Sequence, residues 1–250
     1  GYYSGNVKIM VGAAAGGESK LKYMYYKITA ANTDTNNREV DHTAEPAENF
    51  VFTPSGNLGG WHKYEFSESK AARDNIELEF DSRLFVENNT ETITVEVRCQ
   101  DGQAISATVK DKISIDNEGV SLKVTSPLSK VSVNKTFEIL GSCNDRGAGV
   151  GDIYIGYMKD SAVQNITLAD INNNLSEEPT LNKWKKIEND GISWGHEYVS
   201  TLINNSASIK DYKVQIAATD ILGNIGVMTH DIQIDQDGDR PIIRCQNLPL

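Results

Sequence analysis

The chain has 250 residues, with 35 acidic against 24 basic side chains and a formal net charge of −11. That length suits two domains of ordinary size, and a hydrophobic fraction of 39 % is ample for packed cores, so global disorder is excluded. The acidic surplus argues against nucleic acid or an anionic membrane as the main partner, and no apolar run approaches the ~20 residues of a membrane helix.

Strand signals come first in chain order. Apolar and polar residues alternate through Val7, Ile9 and Val11, and Gly12-Ala-Ala-Ala-Gly-Gly17 follows as a strand-to-strand turn. Leu21, Tyr23 and Tyr25 predict the next strand. A long polar stretch over 29–59 separates it from a strand-like stretch opened by Trp61. Asn75–Phe80 and Ile93–Cys99 alternate with period two, the latter ending at Asp101, and Ile113-Ser-Ile-Asp116 closes the first half. The second half repeats the order. Phe137-Glu-Ile139 predicts a strand, Gly147-Ala-Gly149 a turn, and Ile153, Ile155 and Tyr157 a further strand. A second polar stretch over 159–182 contains Thr167-Leu-Ala-Asp-Ile171, which could form a helical turn. Trp184, Lys213–Ile216 and Ile232–Asp235 mark the remaining strands.

The two halves match one another. Val95-Glu-Val-Arg-Cys-Gln-Asp101 falls on Val214-Gln-Ile-Ala-Ala-Thr-Asp220 at an offset of 119 (95 to 214), and Ile113–Asp116 falls on Ile232–Asp235 at the same offset. Two motifs at one fixed separation define an internal repeat. Upstream, Val7, Ile9 and Val11 fall on Phe137, Ile139 and Gly141, and Leu21, Tyr23 and Tyr25 on Ile153, Ile155 and Tyr157. On that alignment Tyr23, Tyr25 and the Trp61/Trp184 pair fill equivalent cores.

Short strands separated by turns, about seven in each ~100–120 residues, predict an antiparallel β-sandwich. The expected fold class is all-β, with one sandwich over 1–117 and a second over 118–237. The tail 238–250 reads as a linker and the truncated first strand of a third copy, because Arg240–Leu250 resembles Gly119–Pro127. No signal-peptide pattern opens the chain, so no address can be read from it directly.

Tyr212-Lys-Val-Gln-Ile-Ala-Ala-Thr-Asp220-Ile-Leu-Gly223-Asn224, followed by Ile232–Asp235 and Pro241, resembles the bacterial Ig-like repeats, whose penultimate strand ends in an A-x-D-x-x-G-N turn. The first copy departs from this pattern, with Asp101-Gly-Gln-Ala-Ile105 at the turn and no border proline. The resemblance implies tandem Ig-like sandwiches strung along a large secreted or surface-anchored bacterial protein, with neighbouring Ig-like repeats in the parent chain. In the antibody version of the fold a disulfide joins two facing strands. Cys99 and Cys143 each occupy half of such a pair, opposite Ala13 and Ala218, so neither domain can close it.

Several residue groups invite a chemical reading. Asp101 and Asp220 sit just after strands, where a carboxylate can accept backbone N–H bonds and tie a turn. Alternate carboxylates at Asp235, Asp237 and Asp239 could converge on calcium. The EF-hand spacing fails, however, with Arg240 and Gln246 where Gly and Glu are required, so a solvated linker is the preferred reading. Trp194 has no counterpart in the first copy and is the candidate ligand-stacking aromatic. The four histidines are scattered without metal-ligand spacing, and no nucleophile elbow or phosphate loop is present.

The expected function is a non-catalytic structural or adhesive module, a stalk or spacer at the bacterial surface or outside the cell, with no cofactor. A host or cell-surface protein or a glycan is the expected partner, met by the loops of the polar stretches. The alternative is a carbohydrate-binding accessory module of a secreted enzyme.

Overall fold

A computed structural model describes residues 1–31, 40–42, 49–51, 59–133, 136–158, 165–177, 182–199 and 210–235. The chain divides into two compact units, Gly1–Glu118 with Arg146–Ala148, and Gly119–Asp145 with Gly149–Leu250. Both are antiparallel β-sandwiches of Ig-like type.

The first unit contains β1 (Tyr2–Tyr3), β2 (Asn6–Ala14), β3 (Leu21–Thr29), β4 (Val40–His42), β5 (Asn49–Val51), β6 (His62–Lys70), β7 (Ala72–Asp81), β8 (Thr90–Gln100) and β9 (Val109–Asp116). One sheet runs in the order β1-β9-β8-β3-β6-β4 and the other in the order β2-β7-β5. Strand β2 continues past Gly12 to Ala14, and the turn expected over Gly12–Gly17 is confined to its end, where Gly17 takes a φ of +63°. The inner faces meet on Val7, Met24, Tyr26, Ile28, Leu78 and Ile93, all buried. Each such side chain contributes ~1.5–3 kcal/mol by leaving water.

The second unit contains β10 (Ser121–Ser126), β11 (Ser132–Val133), β12 (Thr136–Asn144), β13 (Val150–Met158), β14 (Trp184–Ile187), β15 (Ser193–Val199), β16 (Lys210–Asp220) and β17 (Ile225–Ile234). Its sheets are β10-β12-β15 and β11-β17-β16-β13-β14. Ile139, Ile153, Ile155, Trp194, Ile216 and Ile232 fill the space between them.

The helical turn expected at Thr167–Ile171 is α1 (Leu168–Asn172). Thr167 caps it, accepting the Asp170 amide at 3.2 Å, while Asp170 accepts the Thr167 amide at 3.0 Å. This turn does more than connect strands. Ile171 and Ile166 close a second apolar cluster with Tyr154, Met158 and Trp184.

Strand register corrects one expectation. Tyr26 pairs with Val97, and Ile155 pairs with Ile216, which stands 119 residues beyond Val97. Tyr26 therefore corresponds to Ile155, rather than Tyr23 as the sequence alignment had it. The error is an odd number of residues, and an odd slip exchanges the faces of a strand. Met24, Tyr26 and Ile28 consequently point into the first core, and Tyr23 and Tyr25 do not.

Candidate functional site

The residues singled out by sequence divide into carboxylates at turns and aromatics on the sheets. Asp220 ends β16 and is buried. Its Oδ1 accepts the Asn224 backbone amide at 2.8 Å and its Oδ2 accepts the Asn224 side-chain amide at 2.7 Å. The Asp220 amide donates to Asn224 O at 2.9 Å, and Gly223 supplies the φ of +92° that lets the turn close. Asp101 does the same at the end of β8, where Oδ1 accepts the amides of Gln103 and Ala104 at 2.8 and 2.7 Å. The Ala104 bond and then the Gln103 bond hold its carboxyl below the usual range.

Two further carboxylates escaped the sequence reading. Asp190 accepts the Ser193 amide at 2.6 Å and the Ile192 amide at 2.9 Å, and these bonds draw its pKa down to about 2. Asp145 accepts the Gly149 amide at 2.7 Å and brings a carboxylate oxygen within 4.8 Å of one on Asp220. The signal was present in Asp145-Arg-Gly-Ala-Gly149, a carboxylate before a glycine-rich turn, but spacing alone does not say which strand end it meets.

Asn117 was also missed. At the domain border it reads as linker, yet it is buried and its Nδ2 donates to Val86 O at 2.7 Å. Its Oδ1 accepts Ser4 Oγ at 2.9 Å and the Gly5 amide at 3.2 Å. One side chain thus ties together three segments of the first unit. Its neighbour Asp116 accepts Thr90 Oγ1 at 2.9 Å.

Of the calcium candidates, Asp235 is half-buried just beyond β17, and its amide donates to Val133 O at 3.0 Å. Asp237 and Asp239 lie outside the described residues.

Among the described residues the candidate aromatics form no open platform. Trp194 is only 4 % exposed, and its indole N–H donates to Ser142 O at 3.2 Å, so the ring belongs to the core of the second unit. Trp184 is buried beneath Ile171. The expectation that Tyr23, Tyr25 and Trp61 fill the first core is corrected. They share the outward face of the six-stranded sheet, with cations over their rings. Arg98 lies 4.1 Å from the Trp61 centroid and 4.8 Å from that of Tyr25, and Lys63 lies 4.8 Å from that of Tyr23. Tyr25 is nonetheless only 4 % exposed on that face, and Tyr23 and Trp61 are half-buried, so each such contact is worth ~0.5–2 kcal/mol, the more the further the ring is desolvated.

Cys99 and Cys143 are buried free thiols, and burial pushes Cys99 up to about 11. A thiol kept protonated in this way is a small hydrophobe rather than a nucleophile. His62 is buried and stacks on Tyr26 at 5.2 Å. Among the described residues, no helix is long and apolar enough to cross a membrane.

No family model matches the chain, and no curated protein matches it. Among solved structures it is similar to the fibronectin(III)-like modules of Clostridium thermocellum CbhA. Identity is 8 % over 98 % of this chain and 94 % of that one, with a TM-score of 0.33.

Proposed function

We propose that this chain is a non-catalytic, load-bearing segment of tandem Ig-like repeats, a stalk or spacer of a bacterial surface or secreted protein. In this reading 1–117 and 118–237 are successive repeats, and 238–250 leads into a third. The observation that carries it is the direction of each unit's outer strands. In the first unit β1 runs parallel to β9, with Tyr2 opposite Ser114 and Tyr3 opposite Ile115. In the second, β11 runs parallel to β17, with Ser132 opposite Gln233 and Val133 opposite Ile234. Lys130, Gln233 and Asp235 donate across that second seam at 2.9, 3.3 and 3.0 Å.

Tension on the two ends of such a unit loads a parallel pair in shear. Its hydrogen bonds must then fail together rather than one after another, which suits a module that transmits force. The chemistry-bearing side chains fit the same role, since Asp101, Asp220 and Asn117 are engaged in fixing turns and joints. The net charge of −11 adds solubility and mutual repulsion between modules.

Single-molecule pulling between the two ends tests this. Two separate force peaks are expected, and Val133→Pro, which places a ring in the β11–β17 seam, should lower the second unit's peak alone. Extension without force peaks would end the proposal.

A further inference from the structure

We propose that the Asn117 side chain is a mechanical latch of the first unit, the element that sets the force at which its entering and leaving segments part. The inference rests on the load-bearing reading and adds the residue through which the load passes. Tyr2 and Tyr3 of β1 stand parallel opposite Ser114 and Ile115 of β9. Continued by two residues, that register sets Ser4 opposite Asp116 and Gly5 opposite Asn117. There β1 has ended, Gly5 turns with a φ of +62°, and the chain crosses to β2 in the other sheet. The backbone ladder stops at that turn, and the Asn117 side chain takes it over.

Its Oδ1 accepts the Gly5 amide at 3.2 Å and Ser4 Oγ at 2.9 Å, both on the entering segment. Its Nδ2 donates to Val86 O at 2.7 Å, and its backbone amide donates to Asn89 O at 3.0 Å. The leaving segment is thus moored at two points to the connection between β7 and β8. Ser82 Oγ lies 3.2 Å from Oδ1 and 3.1 Å from Nδ2, and the Ser82 amide donates to Gly5 O at 2.8 Å. Ser82 therefore holds the entering segment and the latch together. Asn117 and Ser82 are buried, so water competes poorly for these bonds. All of these residues belong to the first unit.

Tension pulls Ser4 toward Tyr3 and Asn117 toward Glu118, in opposite directions along neighbouring parallel segments. The bonds from Oδ1 to Ser4 and Gly5 are loaded in shear together with the rungs between β1 and β9. They must break before the segments separate. Core side chains such as Leu78, 0 % exposed between the sheets, stay packed until afterwards. Interactions lost before the barrier is crossed set the unfolding rate, and interactions that survive to it do not. Asn117 therefore governs the rate under force beyond its share of the equilibrium stability.

The experiment pulls the full 250-residue chain from its two ends and reads the first unit's unfolding rate at fixed force. Asn117→Ala should raise that rate about tenfold or more, because it removes several hydrogen bonds that fail at one moment. Leu78→Ala opens a cavity and costs the unit at least as much equilibrium stability, measured in urea, yet should raise the rate by less than about threefold. Ser4→Ala removes the entering segment's hydroxyl and leaves the core intact. It should raise the rate about threefold and add little to Asn117→Ala in the double variant, since both act through one contact. It carries the test alone if Asn117→Ala does not fold. An Asn117→Ala unit that unfolds under force no faster than Leu78→Ala overturns the proposal, as does a Ser4→Ala unit that matches the parent. Either result with the parent's force peaks in place removes the latch and keeps the load-bearing reading, whereas a parent without force peaks ends both.

Discussion

Asp220 binds both amides of Asn224, the backbone N–H through Oδ1 at 2.8 Å and the side-chain NH₂ through Oδ2 at 2.7 Å. The carboxylate is buried, so deleting it strands two donors that water reaches poorly. Asp220→Ala should lower stability by about 2 kcal/mol, read as a shifted urea midpoint at unchanged slope. Asp220→Asn keeps one acceptor and should cost less. Equal stability of the alanine variant and the parent would show that the turn is held by its backbone alone.

Asn117 poses the same test in the first unit. Its donation to Val86 O at 2.7 Å and its acceptance from Ser4 Oγ at 2.9 Å require an amide, with donor and acceptor on one side chain. Asn117→Asp keeps the shape but loses the donor and buries a charge, so it should destabilise by about 2–3 kcal/mol at neutral pH. Acidification to protonate the new carboxyl should return part of that loss. A variant as stable as the parent at pH 7 would show that Asn117 is solvated.

Glu96 gives the fold an acid limit. Its carboxylate, buried on β8, is bonded to Lys110 and lies 3.4 Å from Lys27. The Lys110 bond leads in holding its pKa below the ordinary 4.5, against burial, which pushes it up. A carboxylate depressed in the folded state contributes stability that is complete above its unfolded value. That contribution is lost as pH falls through the folded value. Unfolding free energy should therefore decline below about pH 4.5, and Glu96→Gln should flatten the decline over that range. Identical slopes for the two proteins would remove Glu96 from the acid response.

These three side chains also mark how far the sequence can be read. Alternation in Ile93–Cys99 locates β8 because a strand with one face toward the core imposes a period of two, and Lys213–Ile216 locates β16 although that strand is buried on both faces from Val214 to Asp220. The Thr167/Asp170 pair signals α1 through a local capping box. The facing of β3 is different. Polar and apolar residues are mixed along Lys22-Tyr-Met-Tyr-Tyr-Lys27, and only pairing with β8 decides that Met24 and Tyr26 point inward. Trp194 looked like a surface aromatic because it lacks a counterpart, yet Gly141 opposite it leaves room for its ring in the core. Asn117 and Asp145 act through partners distant in sequence, and no local pattern reports such partners.

The two sandwiches should also answer differently to the same truncation. Ile139 on β12 is enclosed by both sheets and by β10, and is 0 % exposed. Ile9 holds the matching place on β2, but it lines an open groove. Removing a fully enclosed isoleucine costs the transfer free energy and leaves a cavity, whereas an open wall loses less contact and admits water. Ile139→Ala should cost about 3–4 kcal/mol and Ile9→Ala about 1 kcal/mol, each read from the unfolding of its own unit. Equal penalties would show that Ile9 is enclosed as fully as Ile139.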